Sequence, residues 1–354
     1  MRTKIIFCFL LSVFFLSCSK KPTEAERRVA VQPSPALPFQ ITVVETPEVK
    51  EQEEIKNQAI TFLKDKDYDK LEELTAKYRT SKECYADGIW KLMVAYDAVA
   101  AEDDLPSREA WASRQTEMQE WIEAKPKSAT ARIAMARFLR NYAWAARGNG
   151  WASAVSDAGW KSFGDRLNQG WDVLDEAKNL KEQCPVYWST RLGIALGLQL
   201  DKAQFNDIFI QAIRAEPDFQ YYYRTRAVYL LPRWYGEEGE WEKDLARSAD
   251  SIGGKDGDML YARVVWEMHH YGEFINVFEG NKISWERVDR GFAVILKQFP
   301  DSLAAKSELA YLAAMAGDKE RARKYFIQTV GKVDLSVWHA KGEFIDAANW
   351  AFRQ

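Results

Sequence analysis

The fold is indicated most clearly by residues 185–217, which read PVYWSTRLGIALGLQLDKAQFNDIFIQAIRAEP. Apolar residues recur in this segment at steps of three and four, the spacing that lines them up along one face of an α-helix. Proline stands at both ends and marks places where one helix must stop and the next begin. The 32-residue interval between Pro185 and Pro217 therefore predicts one unit built from two packed helices.

The same pattern extends along the chain from about residue 51 to its end. Apolar stripes with helical spacing lie, for example, at residues 89–99 and 131–146, and Pro126 and Pro300 separate further helical segments. No alternating strand pattern of useful length occurs. We therefore predict an all-α fold that is helical throughout residues 51–354.

The paired helices resemble tetratricopeptide repeats, which have a period of 34 residues. The matching positions in residues 185–217 are Leu192, Gly193, Phe209, Ala212 and Pro217. Residues 301–334 resemble a second unit and residues 59–74 a third, whereas Phe205 and Asp334 stand where the repeat has alanine and proline. The resemblance implies an α-solenoid, a superhelix of degenerate antiparallel helix pairs that offers a concave surface to a partner.

A second resemblance covers most of the chain after residue 50. It rests on short motifs at residues 143–148 (AWAARG), 159–163 (GWKSF), 166–167 (RL), 229–234 (YLLPRW), 260–263 (LYAR), 299–302 (FPDS) and 316–318 (AGD). As a set, these motifs resemble a bacterial family described as a domain of unknown function, DUF4034. The motifs carry no known chemistry, so the resemblance implies the helical fold and leaves the activity open.

Residues 1–17 have the layout of a secretory signal peptide. Arg2 and Lys4 precede an apolar run from Ile5 to Leu16, and small residues follow it. The run is too short to span a bilayer, which needs roughly 20 apolar residues. We therefore expect an exported protein.

Cys18 is the expected site of membrane attachment. The sequence Phe15-Leu16-Ser17-Cys18 resembles the lipobox of bacterial lipoproteins, although leucine and a small residue are usual where Phe15 and Leu16 stand. In a lipobox the cysteine is acylated and becomes the new N-terminus. The alternative is ordinary cleavage after Ser19, which would release a soluble protein. An aspartate directly after the acylated cysteine usually retains a lipoprotein at the inner membrane, and Ser19 stands at that position here. In a cell with two membranes we therefore expect the protein at the outer membrane, facing the periplasm.

Residues 18–50 are predicted to form a disordered, proline-rich tether. They contain five of the 11 prolines, mixed with charges, and lack helical periodicity. Such a segment is semi-extended, and at about 3.1 Å per residue it would reach on the order of 90 Å at most. We expect it to hold the helical domain, residues 51–354, away from the membrane.

Charge and aromatic content narrow the choice of partner. The formal charge of the chain is -3, and removal of a leader that contains Arg2 and Lys4 lowers it to about -5, which argues against nucleic acid. Aromatic residues make up 13% of the chain, including 14 tryptophans. Such rings serve either to fill the space between helices or to line a groove that stacks on a ligand, and composition does not separate these uses.

Cys84 and Cys184 are the cysteines of the predicted helical domain. Export would allow a disulfide between them, and burial as free thiols in the core is the alternative. No Cys-x-x-Cys pattern or Cys/His metal spacing occurs. His269 and His270 would point about 100° apart on a helix, so we predict no metal site and no cofactor.

Two segments are candidate binding sites. Their residues are Arg140, Trp144, Arg147, Trp160 and Arg166 in the first and Arg233 and Trp234 in the second. Arg140 and Arg147 would lie two turns apart on one helical face, and guanidinium groups beside tryptophans could hold a carboxylate or phosphate. Gly148, Gly150 and Gly159 predict a break in the helix here. The alternative is that Arg140 is simply solvated and the tryptophans belong to the core.

The expected function is noncatalytic, because the chain lacks a His-Glu-x-x-His motif, a P-loop and a Gly-x-Ser-x-Gly elbow. We expect a lipid-anchored helical scaffold whose concave face binds a protein, a peptide or an envelope component such as peptidoglycan. One alternative is an envelope enzyme acting on the cell wall, since carboxylates are plentiful. The other is a receptor for a small soluble ligand in an aromatic-lined groove.

Substitution of Cys18 by alanine tests the anchor. If Cys18 is acylated, Cys18→Ala should abolish labelling by a fatty-acid probe and release the protein from membranes, while Cys8→Ala, inside the leader, should change neither. Labelling that persists in Cys18→Ala would contradict lipidation at this residue.

Overall fold

The computed structural model describes residues 36–102, 105–148, 155–180, 184–271, 274 and 276–353. The predicted signal peptide, Cys18 and residues 19–35 of the predicted tether lie outside the described residues, as does Gly150. One compact unit comprises Leu37–Gln354. In the described part of this chain, no helix is long and apolar enough to cross a membrane.

Sixteen helices and two short strands are present in the described residues. The helices are α1 Pro47–Lys64, α2 Tyr68–Ser81, α3 Lys91–Val99, α4 Arg108–Ala124, α5 Ala129–Arg147, α6 Asp157–Ala177, α7 Pro185–Gly197, α8 Lys202–Ala215, α9 Tyr221–Tyr229, α10 Glu240–Ile252, α11 Gly254–Tyr271, α12 Trp285–Gln298, α13 Leu303–Met315, α14 Lys319–Thr329, α15 Leu335–Trp338 and α16 Lys341–Phe352. The strands are β1 Thr42–Val44 and β2 Lys332–Asp334. The predicted all-α fold is confirmed.

Helical hairpins form where the sequence resembles tetratricopeptide units. Helices α7 and α8 pack together across a short turn, as do α13 with α14 and α1 with α2. The start of α8 is fixed by a reciprocal cap, in which the Asp201 side chain accepts from the Gln204 N–H at 2.9 Å and the Gln204 side chain accepts from the Asp201 N–H at 3.3 Å. Phe205, which departs from the repeat pattern, stacks on Tyr229 of α9 with ring centroids 3.9 Å apart.

A two-stranded parallel sheet corrects the prediction that the domain is helical throughout. Strand β1 pairs with β2, with Val43 opposite Val333. Each strand has three residues, which is too short for an alternating pattern to be recognised in the sequence. The Asp334 side chain, where the repeat has proline, accepts the N–H of Ser336 at 2.9 Å and so caps α15.

The folded unit begins earlier than the predicted boundary at residue 51. Helix α1 starts at Pro47, because the Thr46 hydroxyl caps its first turn and proline suits the first helical position. Strand β1 lies still further upstream. Residues 37–50 of the predicted tether therefore belong to the folded unit.

The two ends of the folded unit contact each other. Phe39 packs against Phe344 and Phe352 of α16, with ring centroids 6.3 and 5.9 Å away. The N–H of Thr42 donates to the carbonyl of Gly331 at 2.9 Å. Gly331 has φ +74°, and a Cβ there would lie 2.0 Å from the Gln40 carbonyl oxygen, so the approach requires glycine. A simple solenoid has contacts between neighbouring repeats only, and this chain adds a contact between its first and last elements.

Cys84 and Cys184 are both free thiols, so the disulfide that the sequence left open is not formed. Cys184 is buried just before α7, and its Sγ lies 3.7 Å from the hydroxyl of Tyr96 in α3. Cys84 lies between α2 and α3, where its backbone bridges to Trp90. Each cysteine thus occupies its own packing environment.

The carboxyl group of Glu308 is buried near two half-buried carboxyl groups, those of Asp87 and Glu267. Gln220, before α9, donates to the carbonyl of Asp87 at 3.2 Å and to Glu267 of α11 at 2.6 Å. Arg263 of α11 is also buried, and Glu308 of α13 is 3% exposed. Burial raises the pKa of Asp87 to about 6 and places the pKa of Glu308 well above its usual value. Glu308 therefore retains its proton at a pH where an exposed glutamate is charged.

Replacement of Glu308 by glutamine keeps the side-chain volume and removes this titration. Because the folded pKa is raised, wild-type stability is fully present below the unfolded pKa and is lost as pH rises toward the folded pKa. We expect Glu308→Gln to match the wild type in urea unfolding near pH 4 and to become progressively more stable than it toward pH 8. Glu238→Gln, at an exposed position, is the control. A difference between Glu308→Gln and the wild type that stays constant with pH would contradict the raised pKa.

Candidate functional site

A cleft of about 770 Å³ lies among α5, α7 and α9. Its walls also include the residues that follow α3, Trp111 of α4 and the turn after α9. The volume falls in the range of small-molecule binding sites, roughly 300–1,000 Å³. This cleft is therefore large enough for a ligand or for part of a larger partner.

The structure brings the two candidate segments of the sequence together at this cleft. Five of the seven candidate residues line it: Arg140, Trp144, Arg147, Arg233 and Trp234. The rings of Trp144 and Trp234 meet edge to face, with centroids 5.9 Å apart and planes at 81°. The two segments, which the sequence left as separate candidates, are thus parts of a single site.

Trp160 and Arg166 are not among the residues that line the cleft. The guanidinium of Arg147 lies 5.4 Å from the centre of a Trp144 ring and 5.5 Å from that of a Trp160 ring, so two tryptophans hold this cation. The guanidinium of Arg166 lies 3.5 Å from the centre of the Tyr142 ring. Trp160 therefore supports a residue of the cleft, whereas Arg166 packs on Tyr142, which does not line it.

Helix α5 carries three of the five candidate residues that line the cleft, because its end falls there. Gly148 follows the helix with φ +73°, and its N–H donates to the carbonyl of Trp144 at 2.9 Å. The predicted helix break therefore begins at Gly148. Gly159 lies in the first turn of α6, and Trp151 lies outside the described residues.

The floor of the cleft is set by the end of α3. Arg114 of α4 donates to the carbonyls of Ala98 and Val99 at 3.1 and 2.9 Å, and Asn141 of α5 donates to that of Ala100 at 3.0 Å. These bonds satisfy carbonyls that have no partner within a helix. They also fix the position at which the chain leaves α3, where Glu102 enters the cleft.

Glu102 lies between two arginines of α5. Its Oε2 accepts from Arg137 at 3.2 Å and from Arg140 at 2.7 Å, and Arg137 also donates to Asp97 at 2.6 Å. Arg137 is 2% exposed, and the side chain of Arg140 is 12% exposed. The alternative that Arg140 is simply solvated is therefore wrong, because α3 approaches the polar face of α5.

Glu102 and Asp97, which share Arg137 as an ion-pair partner, have different pKa values. Desolvation disfavours the charge on Glu102, but the positive charges of Arg140 and Arg137 outweigh it and lower the pKa of Glu102 to about 2. Burial is the larger effect at Asp97 and raises its pKa to about 6, despite the contact with Arg137. Glu102 therefore stays charged to a lower pH than Asp97 does.

Positive charge exceeds negative charge in the cleft lining. The described lining residues include four arginines, Arg140, Arg147, Arg224 and Arg233, and one carboxylate, Glu102. One of these four arginines, Arg224 of α9, also lies 3.5 Å from a carboxylate oxygen of Glu267, which is outside the lining. Guanidinium groups bind carboxylates and phosphates through paired hydrogen bonds. The geometry therefore suits an anionic group with an apolar or planar part against the tryptophans.

Glu102, Arg137 and Arg224 were not recognised as site residues from the sequence. Arg137 stands in a stretch of α5 that is otherwise apolar, and that position was the one available signal for a buried ion pair. Glu102 and Arg224 come from elements distant in sequence. No local pattern could have placed them beside α5.

The described residues contain no group of three or more histidine, cysteine or carboxylate side chains arranged to hold a metal ion. His269 instead contacts the hydroxyl of Tyr311, with Nε2 and Oη 3.2 Å apart. Its ring also lies 6.0 Å from that of Trp266, centroid to centroid. His269 and His270 are therefore part of an aromatic cluster.

Comparison with known families bears on the segment that includes α5. Residues 56–167 match the family described as Domain of unknown function (DUF4034). This match confirms the resemblance to that family over residues 56–167, and the motifs from residue 229 onward lie beyond it. It includes Glu102 and the candidate residues from Arg140 to Arg166, whereas Arg224, Arg233 and Trp234 lie beyond the matched residues. No curated protein matches the chain.

Replacement of Glu102 by glutamine tests the charge balance of the cleft. Because the folded pKa of Glu102 is lowered, its contribution is present above the unfolded pKa and is lost as pH falls toward 2. We expect Glu102→Gln to lower the free energy of unfolding by roughly 1–2 kcal/mol at pH 7, a value reduced for solvent screening because the side chain is 36% exposed.

The measurement is urea unfolding at pH 7 and pH 3, with Glu238→Gln as the control. The difference between wild type and Glu102→Gln should shrink at the lower pH. Equal stability of the two proteins at pH 7 would show that Arg137 and Arg140 do not depend on Glu102.

Proposed function

We propose that this protein is a noncatalytic, lipid-anchored component of the bacterial envelope that binds an anionic part of a peptide, protein or envelope polymer in the cleft. The observation that carries this proposal is the convergence of four arginines and the rings of Trp111, Trp144 and Trp234 on one cleft. Such a site recognises charge through guanidinium groups and shape through aromatic rings.

The arginines of the cleft have different roles in this proposal. Arg140 is engaged by Glu102 and mainly maintains the floor. Arg147 is held against the rings of Trp144 and Trp160, so less side-chain entropy is lost when it binds a ligand. Arg233 is exposed and lies in the turn after α9, where an approaching anion would meet it early.

The acid–base character of the lining favours binding over glycan hydrolysis. Glycoside hydrolases generally use two carboxyl groups, one of which has a raised pKa and acts as the acid. Among the described lining residues Glu102 is the carboxylate, and its arginine partners lower its pKa. These facts support a binding role, with an envelope enzyme as the alternative to be tested.

The size of the cleft favours a second candidate, a receptor for a small soluble ligand. A volume of about 770 Å³ can enclose most of a drug-sized molecule. The same arginines and tryptophans would then bind a free anion. The affinity for a soluble fragment of an envelope polymer, compared with that for the intact polymer, therefore distinguishes the two candidates.

Peptidoglycan is a suitable first probe, because its stem peptides carry carboxylates and the expected location is the envelope. We expect purified sacculi to retain the protein without being hydrolysed. Arg147→Gln combined with Arg233→Gln should weaken retention at least tenfold, since each charge-assisted hydrogen bond contributes roughly 1.5–3 kcal/mol. Arg247→Gln, a 74% exposed arginine outside the cleft lining, is the matched control.

Three outcomes separate the candidate functions. Hydrolysis of sacculi in a zymogram would overturn the noncatalytic proposal. Competition by soluble muropeptides at an affinity equal to that of sacculi would favour the small-ligand receptor. Equal retention of the wild type and the Arg147/Arg233 double variant would exclude the cleft as the binding site.

A further inference from the structure

The exposed large hydrophobic side chains of the described residues occur at one end of the folded unit. They are Val43, Ile327, Val330, Leu335 and Trp350, with exposures from 37% to 61%. They belong to β1, to the end of α14 and the residue that follows it, and to α15 and α16. We call these five residues the end patch.

Contacts between these elements place the end patch in one neighbourhood. Arg323 and Ile327 are four residues apart and lie along one face of α14, and Val330 follows the last turn of this helix. Arg323 donates to the carbonyl of Arg353 at 3.2 Å, which places the end of α16, next to Trp350, beside this face.

The strand pair joins the remaining members to the patch. Val330 adjoins Gly331, whose carbonyl accepts the N–H of Thr42, the neighbour of Val43. Leu335 follows Asp334, which is opposite Val44 in the sheet.

Basic residues accompany the apolar side chains. Residues 323–332 read RKYFIQTVGK and contain three basic residues and no acidic one. Lys324 and Lys332 are exposed, as is Arg353 after α16. Exposed aliphatic and tryptophan side chains flanked by lysine and arginine are typical of surfaces that bind anionic membranes.

The path of the chain leads from this end of the unit toward the proposed anchor. The described chain begins at Ala36, six residues before β1, and Cys18 is 18 residues upstream of Ala36. Eighteen residues span at most roughly 60 Å when fully extended. Acylated Cys18 would therefore keep β1 within that distance of the bilayer, which raises the effective concentration of its neighbours at the membrane.

We propose that the end patch rests on the membrane that holds the acyl anchor, with Ile327, Val330 and Leu335 among the lipid headgroups and the basic residues against anionic lipids. This inference rests on the lipid anchor of the proposed function. It makes the folded unit an oriented peripheral domain, rather than one that moves freely at the end of its tether. The experiment below separates failure of the patch from failure of the anchor.

Fluorescence quenching by lipids with brominated acyl chains measures the contact. The full chain, processed and acylated, is reconstituted in vesicles of phosphatidylethanolamine and phosphatidylglycerol. We expect the lipid to quench part of the tryptophan emission. This quenching should be lost in Trp350→Phe. It should be retained in the control Trp188→Phe, which alters a half-buried tryptophan on α7. Ile327→Asp with Val330→Asp should also abolish this quenching, with unchanged circular dichroism and continued flotation with the vesicles.

A second preparation, the full chain with Cys18→Ala, separates the patch from the anchor. With excess anionic vesicles at low salt, its Trp350 emission should still be quenched, at a higher lipid concentration than the acylated chain requires. If the processed wild-type chain fails to float with the vesicles, the anchor is overturned and the patch is not.

Quenching that is identical in the wild type and Trp350→Phe, in both preparations, would overturn the patch. Self-association without quenching by lipid would also overturn the patch. It would be detected by sedimentation of the Cys18→Ala chain and would be abolished in the Ile327/Val330 double variant.

Discussion

Helix α5 packs against α3, α4, α6 and α7, so most of its surface is removed from water. A charged side chain on such a helix must be paired, because an uncompensated buried charge costs several kcal/mol. Arg137 and Arg140 are paired by Asp97 and Glu102, which come from α3 and the residues just after it. This requirement fixes the position of the end of α3 and, with it, the floor of the cleft.

The other cations of the cleft are held differently. Arg147 lies against tryptophan rings, and Arg233 is exposed in the turn after α9. Aromatic faces attract a guanidinium without neutralising its charge. Among the described lining residues there are four arginines and one carboxylate, although the chain as a whole carries a formal charge of -3. Local charge of this kind, and not the net charge, decides which ligand a cleft attracts.

Contact between the two ends of the unit changes the character of the array. In an open solenoid the terminal repeats have one neighbour each. Here β1 pairs with β2 and Phe39 packs on α16, so the terminal elements support each other. The segment from Cys18 to the folded unit is consequently shorter than the predicted tether. The two ends of the folded unit meet at β1 and α16, while the cleft is built by elements from α3 to the turn after α9.

Sequence alone determined the helical class and three of the helical hairpins, because burial of one face per helix imposes a three-to-four residue period that can be read locally. It also singled out Arg140, Trp144, Arg147, Arg233 and Trp234, since cations next to tryptophans are conspicuous in any sequence. Only the tertiary structure decided that these residues share one cleft and that Glu102 and Arg137 complete it. The pairing of β1 with β2 was likewise decided there. Such contacts join positions far apart in the chain, and their geometry depends on how every intervening helix packs, which no local pattern records.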